Sequence, residues 1–108
     1  MKSIISIVLL GILLMSSNAF SATDRGVSLS GVGCDASGIC FANVSPALSQ
    51  NCNNNNQVRW DGNQAAGRNF TAAALTAGAS GALVNIGTVD GSCSGNFPVL
   101  NFITVVNN

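Results

Sequence analysis

The chain has 108 residues, of which 47% are hydrophobic and 7% charged, with four Cys, no His, no Tyr and a formal charge of zero. That length holds one small domain. Its bases are Lys2, Arg25, Arg59 and Arg68, too few and too scattered to neutralise a run of phosphates, so sequence-independent nucleic-acid binding is not expected.

Lys2 gives a positive start, Ile4 to Met15 form an apolar run broken only by Ser6 and Gly11, and Ser16 to Ala22 is a small, polar tail. This is the pattern of a secretory signal peptide. Cleavage after Ser21 places the small residues Ala19 and Ser21 before the cut, whereas cleavage after Ala22 brings bulky Phe20 into that register, so residues 1–21 are read as the signal and 22–108 as the domain. A membrane span needs about 20 apolar residues, and this core is shorter and ends in Ser-Ser-Asn. A secreted or periplasmic address is therefore expected, with no membrane span in the mature protein.

Cys34, Cys40, Cys52 and Cys93 all lie in the exported part, and an even count in an oxidising compartment reads as two disulfides, for which three pairings exist. Cys34 and Cys40 flank the turn-like Asp35-Ala-Ser-Gly38, between the strand-like runs Val27–Val32 and Ile39–Val44. A bond across that hairpin is geometrically natural and leaves Cys52 with Cys93. Without His or a Cys-x-x-Cys spacing, a metal site is not expected.

Ser45 to Asn56 is rich in turn formers, offers little to bury and reads as a loop. Gln57 to Asp61 alternates polar and apolar residues, which suits a short strand with Val58 and Trp60 on one face. Asp61 stands three residues before Gln64, the spacing of a capping box, and predicts a helix start there. Ala66, Phe70, Ala73, Ala74 and Ala77 share one face of that helix, and Gly81 follows as its stop. The other face carries Ala65, Ala72, Leu75 and Ala79 beside Arg68, an apolar stripe on which Ala72, Leu75 and Ala79 are candidates for self-association.

Two strands follow, Ala82–Val89 and Phe97–Val106, with Pro98 at a strand start or edge and Asp90–Asn96 as the connecting loop. The order β-β-β-α-β-β in a mainly β chain with one helix is that of an OB-fold, a small five-stranded Greek-key barrel, here disulfide-linked. Its weakest stretch is the first two strands, where Gly26, Gly31, Gly33 and Gly38 lower strand propensity; an open sheet on one helix is the alternative.

Two resemblances add to this. Cys52, Arg59-Trp60-Asp61, Gly67-Arg68-Asn69-Phe70, Ala79-Ser80-Gly81 and Cys93 make the stretch from Cys52 to Val105 similar to a group of small exported bacterial proteins of unknown function. That resemblance supports pairing Cys52 with Cys93 and implies no activity. The helix, strand, short loop and closing strand also resemble the C-terminal half of the glycan-binding B subunits of bacterial AB toxins, which are secreted, disulfide-linked OB-folds assembled in five-membered rings. The hairpin cysteines Cys34 and Cys40 are similar in placement to those of the subtilase and typhoid types. No binding residue is carried over from either group.

Acid-base chemistry would rest on Asp alone, because the chain has no His, Glu or Tyr and its one Lys leaves with the signal. Asp24, Asp35, Asp61 and Asp90 are scattered, and each has a structural reading: N-terminal tail, turn, helix cap and turn. Ser has no His or Lys to activate it, and the cysteines are expected to be paired. A non-enzymatic protein without a cofactor is the expectation. Asp90, Ser92, Ser94 and Gly95 imitate the start of a calcium loop, but Asn101 stands where its bidentate Glu belongs. The sequons at Asn43 and Asn69 carry weight only in a glycosylating host.

Recognition by neutral polar groups remains. Asn53, Asn54, Asn55 and Asn56 offer amides that donate and accept together, as sugar hydroxyls require, and Trp60 beside Arg59 is the one indole able to stack on a sugar. They lie where OB-folds bind ligands, on and next to the second and third strands. The expectation is a secreted binding module for a glycan or envelope component, with ring assembly as a homo-oligomer. The alternatives are a structural or interaction protein of the periplasm or cell surface, and an inhibitor of a secreted enzyme, with no small ligand.

Overall fold

In a computed structural model the described residues are 23–106. The signal peptide and its cleavage position, expected over 1–21, lie outside them. The order is β1 (Thr23–Cys34), β2 (Ile39–Ser45), β3 (Gln57–Asp61), α1 (Ala65–Ser80), β4 (Val84–Ser94) and β5 (Phe97–Val105). The strands close in the order β1-β2-β3-β5-β4, with β4 returning to β1 and a parallel contact between β3 and β5 at Arg59 and Val99. This is the β-β-β-α-β-β arrangement and mainly β class that the sequence predicts.

Alternation in the strands fills the interior. Val27 and Leu29 from β1, Ala42 and Val44 from β2, Val58 and Trp60 from β3, and Val84 and Ile86 from β4 all point inward and are buried. Complete burial of a side chain such as Ile86 stabilises the fold by about 1.5–3 kcal/mol. Helix α1 closes one end of the barrel with Ala74 and Ala77, and Phe70 packs against the same cluster. Ala66, expected on this face, is exposed; Gly67 takes the buried place in that turn, because a Cβ there would collide with the Asp61 carbonyl and Gly62. The helix thus approaches the end of β3 at a distance only glycine allows.

Asp61 does not cap the helix. It is still paired in the sheet, opposite Ile39, so the chain needs a further turn before a helix can start. The Asp61 carboxylate accepts the Asn63 N–H at 2.9 Å, Gln64 is the N-cap without a side-chain bond, and Arg68 closes the turn on the Asn63 carbonyl at 2.7 Å. At the other end Gly81, with φ 75°, donates to the Ala77 carbonyl, the left-handed stop expected of glycine.

Asp24 belongs to β1 rather than to a tail; it pairs with Ile86, and its carboxylate accepts the Ser49 N–H. The segment expected as a loop at Asp90–Asn96 is mostly strand: β4 runs to Ser94 and only Gly95 and Asn96 turn, with Gly95 at φ 61°. The register between β4 and β5 shifts between Thr88 and Cys93, and that irregularity absorbs residues the sequence reading assigned to the loop. Pro98 stands second in β5, at a strand start as expected.

Both cross-links join Cys34 to Cys40 and Cys52 to Cys93. The first spans the hairpin whose turn is held by Asp35: its carboxylate accepts from the Ser37 hydroxyl and from the Ser37 and Ile39 N–H groups. The hydroxyl bond of Ser37 leads the causes that lower the Asp35 pKa from the usual 3.8.

Candidate ligand-binding face

Residues 57–61 divide between two environments. Val58 and Trp60 face the core, and Gln57 and Arg59 face outward. Trp60 is only 3% exposed, and its indole N–H donates to the Thr71 hydroxyl at 2.9 Å, which in turn donates to the Gly67 carbonyl. The indole is a core side chain, and the expectation that it stacks on a ligand gives way to that burial.

Outward, the sheet carries a row the sequence reading did not single out. The Gln57 amide donates to Asn43 Oδ1 at 2.9 Å, Arg59 Nε donates to Gln57 Oε1 at 2.8 Å, and the Arg59 guanidinium lies 4.3 Å over the Phe97 ring. Phe41 stands opposite Arg59 in the β2–β3 register, and its ring lies over Gly33, where a Cβ would come within 3.2 Å of Phe41 Cζ. All five side chains, Phe41, Asn43, Gln57, Arg59 and Phe97, are half-buried, so each has one surface fixed against the sheet and another available. The signal was present in the alternation of β2: Phe41 and Asn43 sit between the inward Cys40, Ala42 and Val44.

The asparagine loop forms the rim of this row. Asn53, with φ 78°, donates its amide to Asn96 Oδ1, and the Asn54 N–H donates to the Asn96 carbonyl at 3.0 Å. The Asn55 amide donates to the Leu48 carbonyl, while the Asn56 carbonyl accepts the Val44 N–H. The loop is therefore stitched down rather than solvated along its length, and it buries Leu48 and Cys52 where little burial was expected. Gln50 reaches from the loop to the Val89 and Ser92 carbonyls and meets buried Thr88, so that loop and β4–β5 hairpin are tied by the Cys52–Cys93 bond and by side chains. The hairpin tip brings Gly95 beside Arg59: a Cβ there would stand 3.3 Å from Nη1. Arg59, Asn53, Asn54 and Asn96 thus belong to one neighbourhood.

Ala72, Leu75 and Ala79 lie elsewhere, on the exposed side of α1, with Leu75 51% exposed. A groove of about 240 Å³ runs beside them against Gly31 and Val32. A cleft of about 230 Å³ lies between the Cys34–Cys40 bond and Arg68, but its backbone and hydroxyl groups are already joined, Gly62 to Gly38 and Thr71 to Gly67.

Among the described residues there is no cluster of three or more potential metal ligands and no helix long and apolar enough to cross a membrane. The two disulfides are compatible with an extracytoplasmic protein. Comparison with protein-family models, with curated proteins and with solved structures finds no match to this chain.

Proposed function

We propose that the protein is a secreted, non-enzymatic binding module that recognises a glycan or other envelope component on the outer face of β2 and β3. The supporting observation is the hydrogen-bonded row from Asn43 through Gln57 to Arg59, bordered by Phe41 and Phe97. Sugars present hydroxyl edges and apolar C–H faces; amides serve the first, and phenyl rings and a guanidinium plane serve the second. Because these groups hold one another in place, little side-chain freedom is lost when a ligand binds. The face is also the one OB-folds use. Trp60 enters this account as a support for β3, not as a ligand contact.

The test is a glycan array probed with the mature protein and with Phe41→Ala. Retention of defined glycans that Phe41→Ala weakens is the expected result; an array without signal overturns the reading.

A second reading is favoured by the exposed Leu75. The α1 stripe of Ala72, Leu75 and Ala79 would carry self-association, including assembly into a ring, with or without a ligand on the sheet. Mass by light scattering distinguishes them: Leu75→Asp is expected to lower the mass of an oligomer and to leave glycan retention at the sheet face intact.

A further inference from the structure

The two disulfides have different surroundings. Cys52–Cys93 joins residues 41 apart and fastens the asparagine loop to the β4–β5 hairpin, where Gln50 binds the Val89 and Ser92 carbonyls. Cys34–Cys40 joins residues only 6 apart that already face each other in the β1–β2 register. Its turn has bonds of its own: the Asp35 N–H donates to the Ile39 carbonyl at 2.9 Å, the Gly38 N–H to the Asp35 carbonyl at 3.1 Å, and the Ser37 N–H to the Asp35 carboxylate. On chain-entropy grounds the shorter closure adds less to stability. The hairpin therefore persists when its disulfide opens.

The two ends of this bond also differ. Cys40 is 2% exposed and packs against Gly62 in the turn before α1, whereas Cys34 is exposed at the end of β1. Both line the cleft of about 230 Å³, and so does Arg68. The bond from Arg68 to the Asn63 carbonyl at 2.7 Å holds the guanidinium there and leaves its charge in place. The cleft thus combines an accessible sulfur with a fixed cation. Those are the two features that govern thiol–disulfide exchange: access to the sulfur, and stabilisation of the thiolates that attack and leave.

We propose that Cys34–Cys40 is a thiol-exchange site, opened from the cleft by a protein dithiol. The attacking thiolate, drawn by Arg68, bonds to Cys34 Sγ. The S–S bond breaks and its electron pair leaves on Cys40 Sγ, which takes up a proton and has the Gly38 carbonyl at 3.7 Å to donate to. The second thiolate of the dithiol then attacks the sulfur of its own first cysteine, so that Cys34 leaves as a thiolate and is protonated. Two electrons and two protons pass to the domain, and the dithiol becomes a disulfide. The reverse sequence closes the bond again, because register and turn keep the two cysteines opposed.

The experiment exposes the folded protein to reduced glutathione, and separately to a Cys-x-x-Cys protein dithiol, quenches samples at intervals with iodoacetamide and maps all four cysteines by mass spectrometry. The expected result with glutathione is a mixed disulfide on Cys34 and alkylation on Cys40, about tenfold or more faster than any reaction at Cys52 or Cys93. The fluorescence of the lone indole, Trp60, should keep its folded spectrum while the hairpin bond opens. Arg68→Gln should slow the attack about threefold or more, and Arg68→Lys, which keeps the charge, should restore it. A packing role for Arg68 would not show that rescue. Glutathione on Cys40, all four cysteines reacting together, or a hairpin bond that neither probe opens in the folded protein overturns the exchange site. An Arg68→Gln rate equal to that of the unaltered protein overturns the part given to the cation.

Discussion

The interior of the barrel and the outer face of β2, β3 and β5 are built from alternate residues of the same strands, yet they are finished differently. Inside, Val58 and Trp60 are 1% and 3% exposed, and the one polar atom of the indole is satisfied by Thr71. Outside, Arg59 donates to Gln57 and Gln57 donates to Asn43, and both side chains remain half-buried at the surface. The interior is closed, and no ligand can gain anything from it without opening the core. The outer face is fixed in position but unfinished, which is the condition a recognition surface needs. The α1 stripe contrasts with both: Ala72, Leu75 and Ala79 are exposed and apolar, and the polar groups beside them are bonded to the backbone, Thr76 to the Ala72 carbonyl and Arg68 to the Asn63 carbonyl.

Substitutions that separate these surfaces should differ most in stability. Trp60→Ala, or replacement of Cys52 and Cys93 together by Ser, is expected to destabilise by about 4 kcal/mol each, the first through a core cavity and the second by freeing a 41-residue separation in the unfolded chain. Removing the Cys34–Cys40 bond, with a separation of 6, should cost about 2 kcal/mol on the same model. Denaturant melts of the three variants check the order, and equal losses for both disulfides would break it. Gly67→Ala, which forces α1 away from the Asp61 carbonyl, is expected to destabilise by about 1–3 kcal/mol, read as a lower thermal midpoint.

Smaller effects sharpen the comparison at the surface. Arg59→Gln, which gives up the bond to Gln57 and the contact with Phe97, is expected to change stability by about 1 kcal/mol, and Leu75→Asp by no more than about 0.5 kcal/mol. Their consequences should then split, with glycan retention lost in the first and oligomer mass changed in the second. The hairpin turn gives the smallest signal, in pH. Because the folded state lowers the Asp35 pKa, its contribution is complete above the ordinary value of 3.8 and is lost as the pH falls through the lowered one. Asp35→Asn should flatten the acid limb of a stability–pH curve, and an unchanged limb would remove Asp35 as its source.

Much of the fold was legible because its signals are local. Val58 and Trp60 alternate with polar neighbours, the alanine-rich segment ends at Gly81, and the Cys34–Cys40 hairpin contains its own turn. The helix start was misread because Asp61 satisfies a capping pattern while its backbone is engaged in the sheet, a tertiary fact the spacing does not contain. The last hairpin was misread because Asp90–Ser94 has turn composition, yet pairing with β5 and anchoring through Cys93 and Gln50 extend β4 across it.

The candidate site was legible in place more than in membership. Arg59 and the asparagine loop were found by residue type, and they meet through the Gly95–Asn96 turn. Trp60 was chosen for its indole, although its neighbours Val58 and Ala42 already mark its side of the strand as the inner one. Phe41, Asn43 and Phe97 went unnoticed because they come from strands separated in sequence and are joined only by the β2–β3 register and the parallel β3–β5 contact.

The most direct test is a chemical-shift map recorded as a glycan retained on the array is titrated into the isotope-labelled protein. Perturbations should gather on Phe41, Asn43, Gln57, Arg59, Asn96 and Phe97 and leave the Trp60 indole and Leu75 unmoved. A map centred on Leu75 and Ala79, with the Arg59 Nε–H unchanged, would contradict the assignment of recognition to the outer face of the sheet.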